Sequence, residues 1–102
     1  MQKSYSIHYL SSAERDLEGI FDYIQHDSPE KASTFVSKID RVISRLARFP
    51  HSGSIPQQNI LKMKGYRILI LEDYLVFYRV KKKEVIIYRV LHGKRRYQFL
   101  MK

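Results

Sequence analysis

A chain of 102 residues is long enough for one packed domain and too short for two. Its hydrophobic fraction of 44% is ordinary for a globular protein, which argues against wholesale disorder. The sequence contains no cysteine, so a disulfide framework and a thiolate metal site are excluded. No apolar run approaches the length of a membrane span or of a signal peptide. We therefore expect a soluble, cytoplasmic protein with no membrane partner.

The net charge of +9 is unevenly distributed along the chain. Residues 1–60 carry seven Lys or Arg and seven Asp or Glu, so this part is neutral. Residues 61–102 carry twelve Lys or Arg against three acids, which places the whole excess in this segment. Such segregation indicates a polyanionic partner, either a nucleic acid or an acidic protein. The alternative is a basic surface that only keeps the protein soluble.

The hydrophobic pattern predicts a strand, two helices and then three strands. Alternating apolar and polar residues indicate a strand over residues 4–10, and apolar residues at helical spacing indicate helices over residues 12–25 and 29–48. Residues 51–61 have little periodicity and are predicted to be a loop. Three short runs rich in β-branched and aromatic residues predict strands over residues 66–71, 74–80 and 84–92, before a basic tail over residues 93–102. The predicted fold class is α+β, with the N-terminal strand and an antiparallel helix hairpin packed on a small, mainly antiparallel twisted sheet.

Two serines are placed to start the two helices. Ser11 precedes Glu14 by three residues, which is the spacing of a capping box. Ser28 is followed by Pro29, a hydroxyl cap and then a residue that needs no amide partner in the first helical turn.

The lengths of the hairpin turns predict which residues share a face of the sheet. A two-residue turn at positions 72–73 pairs Arg67 with Tyr78, and a three-residue turn at positions 81–83 pairs Tyr78 with Ile86. One face is then nearly all aliphatic, and Arg79 and Arg89 are its exceptions. Its other residues are Ile68, Ile70, Leu75, Phe77, Val85, Ile87 and Leu91. The other face carries Arg67, Tyr78, Tyr88 and His92 among Leu69, Val76, Val80 and Val90. We expect the helices to cover the aliphatic face and to leave the other face partly open.

Motifs along nearly the whole chain follow an order that matches a known family. The first helix contains Ala13-x-x-Asp16-Leu17-x-x-Ile20-x-x-Tyr23-Ile24, and the second helix and the turn behind it contain Ala32, Leu46, Pro50 and Gly53. The strands contain Gly65-Tyr66-Arg67, a hairpin at Tyr74–Tyr78, and Val90-Leu91-His92-Gly93-Lys94-Arg95-Arg96. Together these motifs resemble the RelE/ParE superfamily of toxins from type II toxin–antitoxin systems.

The resemblance implies a toxin that inhibits bacterial growth and is masked by a cognate acidic antitoxin. RelE-like members cut messenger RNA on the ribosome without a metal, whereas ParE-like members poison DNA gyrase and are not nucleases. The helices resemble ParE, but Lys62 and Lys64 before the Gly65-Tyr66-Arg67 motif resemble the surroundings of RelE-like sites. Tyr97 stands where ParE-like chains commonly have an acid. We therefore expect ribosome-dependent cleavage of messenger RNA, with a gyrase poison as the alternative and a non-toxic basic nucleic-acid or protein-binding module as the second alternative.

The nuclease hypothesis assigns a role to each of several polar residues. Arg67 and Arg95 could stabilise the charge that builds on the phosphoryl oxygens, and His92 or Tyr97 could exchange protons. The remaining candidates would contact the RNA or another target, through charge or by stacking a base, and comprise Lys62, Lys64, Tyr78, Tyr88, Lys94 and Arg96.

Each candidate also has a structural explanation. Arg67 could pair with an acid or with the antitoxin, His92 could be a hydrogen-bonded histidine at a strand end, and the interior tyrosines could be packing residues. Residues 81–83 are expected to be an exposed turn that discourages pairing between sheet edges. His8, His26 and His51 show no ligand spacing, so we expect neither a metal site nor a cofactor.

Overall fold

A computed structural model describes residues 4–93, and within this range the chain forms four strands and two long helices. The elements are β1 (Ser6–Tyr9), α1 (Ser11–Asp27), α2 (Pro29–Ser44), a 3-10 turn (Arg45–Ala47), α3 (Asn59–Met63), β2 (Tyr66–Leu71), β3 (Tyr74–Lys81) and β4 (Glu84–His92). The sheet order is β1-β4-β3-β2, with β1 parallel to β4 and the other neighbours antiparallel. The predicted α+β class is confirmed. No helix between residues 4 and 93 is both long and apolar enough to cross a membrane.

One of the two predicted helix starts is correct. The Ser28 hydroxyl accepts a hydrogen bond from the Lys31 amide at 3.3 Å, directly before Pro29. The capping box at Ser11 is wrong, because Ser11 already lies inside α1 and Leu10 precedes the helix. The Leu10 amide still bonds to β4, through the carbonyl of Ile87 at 3.0 Å, so strand pairing leads directly into the helix.

The segment between the long helices and the sheet contains a helix that the sequence pattern does not predict. Residues 51–61 were expected to be a loop, yet α3 begins at Asn59 and buries Leu61 completely. Leu61 packs with Tyr66, Phe77 and Leu91. A single helical turn is too short to show a clear period of apolar residues in the sequence. Its contacts with the sheet become visible only in the structure.

The register is as predicted for one hairpin and different for the other. Arg67 pairs with Tyr78 between β2 and β3. Between β3 and β4 the turn has two residues rather than three, because Lys81 pairs directly with Glu84 and Lys82 adopts a φ of 57°. The register then shifts between Phe77 and Tyr78. A one-residue change in turn length moves the following residues to the opposite face.

The helices cover the face of the sheet that was expected to stay open. Ala13, Phe35, Ile39, Ile43 and Leu46 from the helical half pack in one buried cluster with Val76, Tyr78, Val85, Ile87 and Val90. The face that carries Phe77 and Leu91 is covered by α3 instead. The prediction of an open face with Tyr78 is therefore wrong, since the turn residues alone did not determine the register of β4.

Candidate functional site

Arg67 lies on β2 and holds the loop that follows the 3-10 turn. Its Nη1 donates to the carbonyl oxygens of His51 and Gly53, each at 3.0 Å. The side chain is half-buried, and these contacts satisfy two carbonyls of a loop that also pairs with β2 through a bridge between Ser54 and Ile68. The guanidinium thus has a structural role in this conformation.

Tyr78 fixes the same loop from inside the core. Its side chain is 0% exposed, and its hydroxyl donates to the carbonyl of Pro50 and accepts from the amide of Gly53, both at 2.8 Å. Burial raises the pKa of Tyr78, partly offset by the Gly53 hydrogen bond and by the charge of Arg67. Because the ring is inaccessible, the assignment of Tyr78 as a base-stacking residue is wrong.

Arg67 and His92 lie at opposite ends of the sheet. Arg67 shares a row with Tyr78, whereas His92 shares a row with Tyr74 at the other end of β3. Four residues separate these rows along the strands, which is about 13 Å, and two strand spacings across the sheet add about 10 Å in the perpendicular direction. The structure therefore does not bring these two predicted catalytic residues together.

His92 lies at the end of β4 beside a groove of about 680 Å³ between α1 and the sheet. Its ring contacts Tyr74 edge-on, with 5.4 Å between centroids. Burial raises the pKa of Tyr74, with smaller contributions from Tyr23, Asp73 and Glu72. His92 is half-buried, so it can contact a partner that enters this groove.

Tyr88 lies on the opposite face of the sheet from Tyr78, in a cluster that the sequence did not predict. Its ring contacts Tyr66 edge-on at 5.3 Å, and the Arg79 guanidinium lies 5.5 Å from the centroid of each ring. Arg79 also donates to the Tyr88 hydroxyl at 3.3 Å. The cation–π contacts explain how an arginine is accommodated on a largely apolar face. Tyr88 remains half-buried, with one side of its ring already occupied.

The other predicted target-binding residues are only partly described by the structure. Lys62 is exposed on α3, and Lys64 follows the end of this helix and is half-buried. The remaining candidates lie outside the described residues, namely Lys94, Arg95, Arg96 and Tyr97. In the described part of the chain, no group of three or more His, Asp or Glu side chains could hold a metal ion.

A further cleft lies between the two long helices and the β2–β3 turn. Its volume is about 1050 Å³, and it is lined by aromatic, acidic and basic side chains: Asp22, Tyr23, Ile24, His26, Asp27, Glu30, Lys31, Thr34, Phe35, Lys38, Glu72 and Tyr74. Tyr23 is 78% exposed, which is unusual for so large a side chain beside a cleft. The sequence indicated a groove here only in general terms, from the predicted helix hairpin.

Similarity to known proteins places this fold in a family. The family model for the ParE toxin of the type II toxin–antitoxin system parDE matches residues 7–97. The chain belongs to the ParE toxin family. The protein is therefore a toxin of a type II toxin–antitoxin system, as the motifs in the sequence implied.

Individual relatives cover most of the chain. Y4kP of Sinorhizobium fredii is 33% identical over 89 residues, covering 85% of this chain and 86% of that protein. Toxin ParE3 of Caulobacter vibrioides is 30% identical over 80 residues, covering 78% of this chain and 77% of that toxin.

Solved structures support the same assignment. A chain from the chromosomal ParDE TA system of P. aeruginosa superposes with a TM-score of 0.73 at 28% identity, covering 90% of this ParE-family toxin and 99% of that chain. A chain of the toxin–antitoxin complex RelBE2 from Mycobacterium tuberculosis superposes with a TM-score of 0.59 at 20% identity, covering 90% of this chain and 94% of that chain. The second similarity concerns the fold alone.

Proposed function

We propose that this ParE-family toxin inhibits growth by binding DNA gyrase, without cleaving RNA, and that a cognate antitoxin masks it. The observation that carries the proposal is the position of Arg67, whose guanidinium holds a loop at the far end of the sheet from His92. This favours the alternative drawn from the sequence over the expected ribosome-dependent cleavage of messenger RNA.

Cleavage of RNA by the predicted residues would need several groups at one phosphate. The cation that stabilises the phosphoryl oxygens and the group that exchanges protons must both reach it, within hydrogen-bonding distance or through one water. Arg67 is held by the loop carbonyls and lies about 13 Å along the strands from His92, so these two side chains do not meet at one phosphate in this conformation. The other two predicted catalytic residues, Arg95 and Tyr97, lie outside the described residues. A toxin that acts by occupying a protein surface has no such requirement.

The cleft beside the helices supports an antitoxin partner. Similar structures include a ParDE TA system and a RelBE2 toxin–antitoxin complex. Here the cleft offers the rings of Tyr23 and Tyr74 together with charged side chains of both signs. An amphipathic segment of an antitoxin could bury its apolar residues against these rings. The basic segment after residue 60 would then attract the acidic part of the same antitoxin.

The target can be tested with purified components. The toxin is added to gyrase with supercoiled plasmid and ATP, and in parallel to ribosomes carrying a defined messenger RNA. We expect gyrase-dependent double-strand breaks in the plasmid and intact messenger RNA. The breaks should disappear when the antitoxin is added first. Ribosome-dependent cleavage without DNA breaks would contradict the proposal and restore the nuclease hypothesis. Neither activity, with normal growth on expression, would favour the non-toxic binding module.

A further inference from the structure

Two basic segments that are distant in sequence meet at the start of β1. The Tyr5 amide donates to the carbonyl of Ala47 at 2.8 Å, and the Ser6 amide donates to the carbonyl of Lys83 at 3.0 Å. The Lys83 ammonium also lies 5.6 Å from the centroid of the Tyr5 ring. The β3–β4 turn and the 3-10 turn after α2 therefore flank the same two residues.

This arrangement concentrates exposed positive charge at one end of the molecule, which we call the basic end. Its exposed side chains come from the last turns of α2, the 3-10 turn and the β3–β4 turn, namely Arg41, Arg45, Arg48, Lys81, Lys82 and Lys83. The acids next to them are Asp40 and Glu84. The sequence did not indicate this surface, because its arginines belong to the half of the chain that is neutral overall.

A shallow groove of about 550 Å³ lies within the basic end. It is lined by Ser37, Asp40, Arg41, Ser44, Arg45 and Arg48. Neither Arg41 nor Arg45 forms an ion pair with a carboxylate of residues 4–93, whereas Lys38 and Arg89 do. Guanidinium and hydroxyl groups are the side chains that commonly contact phosphate oxygens. The groove therefore has the composition of a phosphate-binding surface.

The composition of the basic end also distinguishes between kinds of partner. The cores of protein interfaces are depleted in charge and enriched in aromatic residues, which is the reverse of this groove. Binding of single-stranded nucleic acid relies on aromatic rings that stack bases, and no residue that lines the groove is aromatic. A double-stranded partner that presents only its backbone fits this surface best.

We propose that the basic end binds the phosphate backbone of duplex DNA without reading its sequence. The contact itself does not require gyrase, but the choice of DNA over duplex RNA rests on the proposed function, since DNA is the substrate of gyrase. In that setting Arg41 and Arg45 hold the toxin against the DNA on which its target acts.

The proposal is tested by binding to labelled DNA in the absence of gyrase. Fluorescence anisotropy is measured with duplexes of about 20 base pairs, roughly two helical turns, in two unrelated sequences and as the matching duplex RNA. The test variant is Arg41→Gln/Arg45→Gln. The control is Arg15→Gln/Lys31→Gln, which removes the same charge from exposed positions on α1 and at the start of α2.

We expect equal affinity for the two DNA sequences and a steep fall in affinity between about 50 and 200 mM salt. The Arg41→Gln/Arg45→Gln variant should bind about tenfold more weakly than the wild type. Its plot of log K against log salt should be shallower, with the magnitude of the slope smaller by about 2, because two phosphate contacts are lost. The control should change the slope by clearly less. Equal losses in the two variants would overturn the proposal, as would tighter binding to duplex RNA than to DNA. Gyrase-dependent breaks without DNA binding by the toxin alone would overturn it as well and leave the proposed function standing.

Discussion

Asp16 on α1 and Arg89 on β4 form a bidentate ion pair that joins the helices to the sheet. Nε and Nη2 of Arg89 donate to the two carboxylate oxygens at 2.6 and 2.9 Å, and the Val90 amide donates to the same carboxylate at 3.0 Å. Both side chains are largely buried, with 20% of Arg89 and 11% of Asp16 exposed. The hydrogen bonds to Asp16 raise the pKa of Arg89, so this side chain stays charged at any ordinary pH.

Removing the carboxylate should destabilise the protein strongly. Asp16→Ala leaves Arg89 partly buried without its partner and removes an acceptor from the Val90 amide, for an expected cost of about 2–4 kcal/mol in the free energy of unfolding. Urea denaturation measures this cost. The control is Glu72→Gln, which breaks the exposed ion pair with Lys38 and should cost less than about 1 kcal/mol. Similar costs for both substitutions would mean that the Asp16 pair contributes no more than a surface pair.

Substitution by alanine should have opposite effects on stability at Gly53 and at Gly19. A Cβ on Gly53 would lie 2.6 Å from the hydroxyl and 2.7 Å from Cε1 of Tyr78, whereas nothing lies within 4 Å of a Cβ on Gly19. We expect Gly53→Ala to cost about 1–3 kcal/mol of stability through the clash. Gly19→Ala, inside the exposed face of α1, should instead stabilise by about 0.5–1 kcal/mol. Thermal unfolding of both variants checks the pair, and a neutral Gly53→Ala would show that the loop moves away from Tyr78 easily.

Local sequence signals were sufficient for the two long helices and the strands, but not for α3 or for the packing of the elements. The period of apolar residues predicted both long helices and all four strands, and Ser28 with Pro29 predicted the start of α2. The β3–β4 turn contains only Lys82 and Lys83, with no glycine or asparagine to indicate its length. The register of β4 next to the turn was therefore misjudged by one residue, and with it the face on which Val85 and Ile87 lie.

The candidate site was harder to predict because its contacts join distant parts of the chain. Arg89 meets Asp16 across 73 positions, and Arg67 meets Gly53 across 14. The sequence marks Arg89 as an exception on an aliphatic face and Arg67 as a catalytic candidate, but no local pattern identifies the partner that satisfies either side chain. Distinguishing an anchor such as Arg67 from a catalytic arginine required the hydrogen bonds themselves.

The buried phenol of Tyr78 should make the stability of the protein depend on pH in the alkaline range. Because burial raises its pKa above the ordinary value of 10.0, the protonated phenol stabilises the fold below pH 10, and this contribution is lost as the pH rises further. Tyr78→Phe should cost about 1–3 kcal/mol at neutral pH, since the Pro50 carbonyl and the Gly53 amide lose their partner. Above about pH 10 its stability should then fall less steeply than that of the wild type. Urea unfolding at a series of pH values measures both effects, and parallel curves would mean that Tyr78 does not account for the alkaline loss.

Arg67 should act on stability more than on toxicity. Arg67→Ala removes the hydrogen bonds to His51 and Gly53 and should cost about 1–2 kcal/mol. If the toxin binds gyrase as proposed, the folded fraction of this variant keeps its gyrase-dependent activity. His92→Gln leaves those loop contacts intact and serves as the comparison. A folded Arg67→Ala protein that has lost all toxicity would instead support the catalytic role first predicted for this residue, since loss of one positioned charge typically costs about 100-fold or more in rate.

The antitoxin complex should show different salt dependence for association and dissociation. The basic excess after residue 60 would attract an acidic antitoxin at long range, and exposed charges are screened beyond about 10 Å at 0.1 M salt. The rings of Tyr23 and Tyr74 would hold the bound segment through apolar contacts, which salt affects little. We therefore expect the association rate constant to fall as salt is added while the dissociation rate constant barely changes, measured by stopped-flow fluorescence with the cognate antitoxin. Tyr23→Ala should do the reverse, speeding dissociation while leaving association nearly unchanged. An association rate that does not depend on salt would show that charge does not guide this partner.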